Sequence, residues 1–111
     1  MATSAIESRI ELTDDGVFLL SGELSFASVP GLLREGRQRL IKRGASDATI
    51  TVDLQGVSRT DSAGLALLVE WTRDARRQGG EIAFLNIPAQ MAALARLSGL
   101  EGVLSLSLTQ A

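Results

Sequence analysis

Thr60-Asp61-Ser62-Ala63-Gly64-Leu65-Ala66-Leu67-Leu68 (TDSAGLALL) puts three small or polar residues and a glycine directly before an apolar run. Asp and Ser are residues whose side-chain oxygens accept hydrogen bonds from the free N–H groups of a first helical turn. The stretch therefore reads as a helix start, with Asp61 or Ser62 as the cap and Gly64 allowing the helix to approach the preceding strand. That strand is Ala48-Thr49-Ile50-Thr51-Val52-Asp53-Leu54, short and β-branched as a central buried strand should be. Gln55–Thr60 reads as the loop between them. The helix is expected from Ser62 to Gln78, where Gly79-Gly80 stops it. Strand, loop and helix in this order make half of a βαβ unit, and the rest of the chain supplies the remainder.

Downstream, Glu81–Asn86 is another strand, and Pro88 opens a helix over Ala89–Leu97. Ser98-Gly99-Leu100 is a helix stop, with Gly99 suited to the left-handed position and Leu100 to the hydrophobic contact that follows it. Val103–Leu108 alternates apolar residues with serine and predicts a last edge strand. Upstream, Ile6–Leu12 alternates as a strand with one polar face, Thr13-Asp14-Asp15-Gly16 is a turn, and Val17–Ser21 is a second strand, making a hairpin. Gly22–Phe26 leads into Ala27-Ser28-Val29-Pro30, a helix start with Ser28 or Val29 as cap and proline in the first turn. Apolar or small residues at 29, 32, 33, 36, 40 and 41 carry that helix toward a stop at Gly44. The order is β-β-α-β-α-β-α, with a possible final β. Helical crossovers require a mostly parallel sheet, and the hairpin adds an antiparallel element. The fold class is a single α/β domain over residues 1–111, built on a mixed, mostly parallel sheet of four to five strands.

Composition narrows the function. The 111 residues carry a net charge of −2, and the ten arginines and one lysine are scattered, so no basic patch for nucleic acid is expected. No cysteine or histidine is present, which removes a disulfide framework, the usual zinc ligands and the neutral-pH proton shuttle. Neither a signal-peptide core nor a membrane-length apolar run is present, and the expected location is cytoplasmic.

Catalysis finds little support. A serine nucleophile needs a base, and without histidine the candidate is Lys42, which nothing in the local pattern brings to Ser62. Asp53, Asp61 and Glu70 match no acid–base spacing. Gly79-Gly80 follows a helix and precedes a strand, the reverse of a phosphate-binding loop. No enzymatic activity, cofactor or metal is expected. Ser62 keeps two readings, a helix cap or an exposed hydroxyl where a phosphate or a partner is received at the helix N-terminus. The helix itself carries a clue, because Gly64, Leu65, Leu67, Leu68, Val69, Trp71, Thr72 and Ala75 span roughly 200°, about twice the stripe a surface helix needs to bury. Either the first helix covers one flank, or the flank docks another protein with Trp71 as its anchor.

Gly22-Glu23-Leu24 after the second strand, VDLxGVxxxDSAGL from Val52 to Leu65, and LSGL at Leu97–Leu100 together resemble the STAS domain family along nearly the whole chain. Ser21–Leu33 (SGELSFASVPGLL), DSAGLALLVEW and GGEIAFLNIPAQMAALARLSGLEGVL are similar to the MlaB branch, the small STAS subunits of bacterial Mla phospholipid-transport ABC complexes. That resemblance implies a non-enzymatic subunit, bound to the ATPase subunit (MlaF-like) and through it to a permease, at the cytoplasmic face of the inner membrane. It would support assembly or activity of a complex that maintains outer-membrane lipid asymmetry, with no insertion into lipid of its own and no nucleic acid. Asp61, Ser62, Ala63, Gly64, Leu67 and Trp71 would form the partner contact. In anti-sigma factor antagonists of the same family the motif serine is the phosphorylation site, and it maps onto Ser62, so a phosphorylation-switched antagonist is the alternative.

Overall fold

The computed structural model describes residues 8–41, 49–100 and 102. Its elements are β1 (Arg9–Leu12), β2 (Val17–Leu24), α1 (Val29–Gly36) continuing as a π-helical turn over Arg37–Ile41, β3 (Thr49–Thr60), α2 (Ser62–Arg77), β4 (Glu81–Leu85) and α3 (Ala89–Leu97). The sheet order is β1-β2-β3-β4, with β1 antiparallel to β2 and the other two pairings parallel. This is the expected α/β architecture. The predicted Val103–Leu108 strand, the Gly44 stop, Lys42 and the start of the Ile6–Leu12 strand lie outside the described residues.

Period-two alternation sets the core. Phe18, Leu20 and Leu24 of β2, Ile50, Val52 and Leu54 of β3, and Ile82 and Phe84 of β4 are buried, and they join one cluster with Leu32, Leu65, Leu68 and Met91 of the helices. The residues between them, such as Val17, Leu19, Thr51 and Ala83, are only half-buried. The helices therefore cover one face of the sheet.

β3 departs from the expectation. Gln55–Thr60 is not a loop but the second half of a twelve-residue strand, paired with a β2 that runs on to Leu24. The register shifts twice, between Leu19 and Ser21 and between Gly22 and Glu23, with an extra β3 residue accommodated each time. Such bulges erase the alternation by which a strand is recognised, so Gln-Gly-Val-Ser-Arg reads locally as a connector.

The helix stops follow the sequence closely. After α3, the Leu100 N–H donates to the Ala95 carbonyl at 2.8 Å and the Gly99 N–H to that of Arg96 at 3.2 Å, with Gly99 at φ +70°. The same pair of bonds closes α2, from Gly80 to Ala75 (2.9 Å) and from Gly79 to Arg76 (3.0 Å).

Candidate functional site

The Asp61–Gly64 turn sits at the carboxyl ends of β2 and β3. Leu24 and Thr60 are the last paired residues of those strands, and the Asp61 N–H donates to the Leu24 carbonyl at 3.2 Å. Asp61 is extended (φ −126°, ψ −165°), and its Oδ1 accepts from the Ala63 N–H at 2.8 Å. Asp61 is thus the helix cap. Thr60 Oγ1 donates to the Asp61 carbonyl at 3.1 Å and holds the same corner from below. Gly64 is the point of closest approach. A Cβ there would overlap Thr60 Oγ1 and lie 3.0 Å from Leu24 Cβ and 3.3 Å from Met91 Cε.

Ser62, the first residue of α2, is exposed, and its hydroxyl makes no hydrogen bond among the described residues. Of the two candidate caps, it is the one left free. The outward stripe of α2 runs from Ser62 through exposed Ala66 and half-buried Glu70 to exposed Arg73 and Arg77. Charge is confined to the far half of that stripe. There the buried Asp74 carboxylate accepts from Arg37 Nε at 2.7 Å and from Arg77 at 2.8 Å. The hydrogen bond that Arg37 donates to Asp74, reinforced by the carboxylate's charge, raises the Arg37 guanidinium above its ordinary value.

Leu67 and Trp71 correct the sequence reading. Their side chains are 1% and 0% exposed, so neither can be a surface anchor of the folded chain. The flank that looked uncovered is covered by α1, which packs along α2. Gly36 makes the fit possible, because a Cβ at that position would overlap the Trp71 indole. The indole Nε1 and the neighbouring Thr72 Oγ1 are buried without a hydrogen-bond partner among the described residues. Ala63 and Gly64 are buried too, so of the six expected contact residues only Ser62 and, in part, Asp61 reach the surface.

One residue at this end escaped the sequence reading. Phe26, in the turn between β2 and α1, is 76% exposed. Ser28, expected as a cap for α1, makes no side-chain capping bond; its hydroxyl donates to the Glu23 carbonyl (2.8 Å) and accepts from the Ser25 N–H (2.9 Å). The Ser25–Ser28 spacing was the available signal for a turn that throws the two residues between them outward. Elsewhere, an open groove of about 630 Å³ runs along β1, lined by Ile10, Leu12, Asp14, Leu19 and Arg39 among others. No cluster of three or more acidic residues able to hold a metal occurs among the described residues, and no helix there is long and apolar enough to cross a membrane.

The family profile described as "Mlab, STAS domain" matches residues 9–108, and the chain belongs to that family. A chain of the Acinetobacter MlaFEDB complex, in an ATP-bound conformation, superposes with a TM-score of 0.74 at 24% identity, over 91% of this chain and 99% of that one. The anti-sigma factor antagonist SpoIIAA in its unphosphorylated form superposes with a TM-score of 0.66 at 22% identity, over 94% and 87% of the two chains. At these identities the likeness establishes the fold. By sequence, the anti-sigma-B factor antagonist of Bacillus subtilis (strain 168) is 27% identical over 88 residues, 79% of this chain and 77% of that protein.

Proposed function

We propose that this STAS-domain protein is a non-enzymatic accessory subunit of an Mla-type phospholipid-transport ABC complex. In this reading it binds the ATPase subunit at the cytoplasmic face of the inner membrane and supports the assembly or activity of that complex. The observation that carries it is the match to the Mlab branch over residues 9–108, joined by a fold likeness that covers 99% of a chain from an MlaFEDB complex. The site suits the role. Ser62 presents a free hydroxyl, beside the half-exposed Asp61, at a helix start that Asp61 caps.

The test is co-expression with the ATPase subunit of the same organism's Mla-type complex, followed by size-exclusion chromatography. Co-elution is expected, with no ATPase activity in this chain alone; separate elution at micromolar concentration overturns the reading. Ser62→Asp sharpens the result. An aspartate in the first turn suits the helix dipole and leaves the isolated domain as stable as wild type. Inside a contact it buries a new charge beside Asp61, at a cost of several kcal/mol of binding.

A second reading is favoured by the 27% identity to an anti-sigma-B factor antagonist. Here Ser62 is the acceptor of a phosphate from a partner kinase, its hydroxyl exposed at the positive end of α2. Stoichiometric phosphate on Ser62 in protein isolated from its own cells, detected by mass spectrometry, would select this reading over the first.

A further inference from the structure

We propose that Phe26 is the anchor of the partner contact, its ring entering an apolar cleft on the partner protein beside Ser62. This rests on the reading of the domain as a subunit of a protein complex, and it assigns the anchoring role that Trp71, lying in the core, cannot fill.

The chain contains four aromatic residues. Phe18, Phe84 and Trp71 are at most 5% exposed, whereas Phe26 is 76% exposed. The turn that carries it is held by its own hydrogen bonds. The Ser25 N–H donates to Ser28 Oγ (2.9 Å), the Ala27 N–H to Ser25 Oγ (3.3 Å), and the Ser28 and Val29 N–H groups to the Ser25 carbonyl (3.1 and 2.9 Å). Ser28 Oγ then ties the turn to the end of β2 through the Glu23 carbonyl. An aromatic side chain on a backbone already fixed loses little entropy on binding, which is the property of a binding hot spot.

Phe26 and Ser62 also share one end of the molecule. Leu24 pairs with Thr60, and each strand delivers its residue two positions later. Several exposed residues flanking them are small and uncharged, namely Ala27, Pro30 and Gly31 at the start of α1 and Ala66 one turn along α2, while the exposed Arg59 stands opposite the half-buried Glu23 in the strand register. That composition decides the class of partner. An anionic membrane or a nucleic acid would need several basic side chains around the aromatic ring; Arg59 stands opposite the acidic Glu23 in the strand register, and the arginines of α2 lie at its other end. A surface of small residues with one projecting ring fits a close-packed, apolar protein surface containing a single cleft.

The test compares the wild-type chain with Phe26→Ala and Phe26→Trp, by calorimetric titration against the purified ATPase subunit and by thermal melts of each variant alone. The proposal expects wild-type binding, a loss of about 30-fold or more for Phe26→Ala at unchanged melting temperature, and substantial recovery in Phe26→Trp. Wild-type binding that Phe26→Ala leaves within about threefold overturns the anchor and spares the subunit reading. No wild-type binding at all overturns both. Two further outcomes also overturn the proposal: a Phe26-dependent homodimer in light scattering, or Phe26-dependent flotation with phosphatidylglycerol–phosphatidylethanolamine vesicles, would show the ring serving a second copy or a membrane.

Discussion

Replacing Gly36 by alanine sets a methyl group against the Trp71 indole, and the sign of its effect should depend on whether that indole is there. A Cβ at Gly36 would stand 2.6 Å from Trp71 Cζ2 and closer still to Nε1 and Cε2. The indole is fully buried and cannot swing aside like the end of a flexible chain. Overpacking of this kind costs about 1–3 kcal/mol, and a clash this close belongs near the upper end. Gly36 has no positive φ, so alanine also gains its ordinary helical advantage of about 1 kcal/mol. The net expectation for Gly36→Ala is a loss of about 1–2 kcal/mol. Trp71→Ala alone should cost about 3–5 kcal/mol, a large share of the roughly 5–15 kcal/mol that holds a domain folded. In the Trp71→Ala background the clash is gone, and Gly36→Ala should stabilise by about 1 kcal/mol. The coupling between the two sites is therefore about 2–3 kcal/mol. Urea unfolding followed by circular dichroism reads all four species, since Trp71 is the chain's only tryptophan and fluorescence disappears with it. Should Trp71→Ala unfold outright, Trp71→Leu completes the cycle. A Gly36→Ala effect equal in both backgrounds to within about 0.5 kcal/mol would refute the packing of α1 on Trp71.

Two further outcomes follow from the site and the charges. Asp61→Ala should cost about 1 kcal/mol in urea unfolding, because it removes the 2.8 Å bond to the Ala63 N–H, while Ser62→Ala should stay within about 0.5 kcal/mol of wild type; the opposite ranking would make Ser62 the cap. Thermal stability should be flat between about pH 6 and 9, since the chain has no histidine or cysteine side chain to titrate there. Arg37 does not disturb this: a folded-state value raised by its hydrogen bond to Asp74 contributes stability that is fully present below the ordinary guanidinium value and is lost only as pH rises through the still higher folded one, far above this window. A melting temperature that moves steeply across that window would reveal an ionisation that Arg37 and the composition do not supply.

The features legible in the sequence are those whose hydrogen bonds close within a few residues. Asp61 reaches Ala63, Gly99 reaches Arg96, and Gly80 reaches Ala75, so the start of α2 and the ends of α2 and α3 were readable as short strings. The alternation of Ile6–Leu12 and the β-branched run of Ala48–Leu54 announced strands, and with the helical periods they determined the order β-β-α-β-α-β-α. What escaped depends on partners far away in the chain. Gln55–Thr60 is a strand because β2 extends beside it through two bulges, and nothing in Gln-Gly-Val-Ser-Arg says so. The apolar width of α2 told how much surface had to be covered but not by what; the answer lies in Gly36 on another helix, whose missing side chain admits the Trp71 indole. Phe26 is the converse case. In the sequence it read only as part of the Gly22–Phe26 lead into the first helix, and only the assembled molecule shows the ring left exposed. Sequence by itself determined the order of the elements and the ends of α2 and α3, because local backbone chemistry is enough to end a helix. Which apolar side chains lie inside was decided by tertiary packing, because burial belongs to two surfaces and a sequence pattern describes one of them.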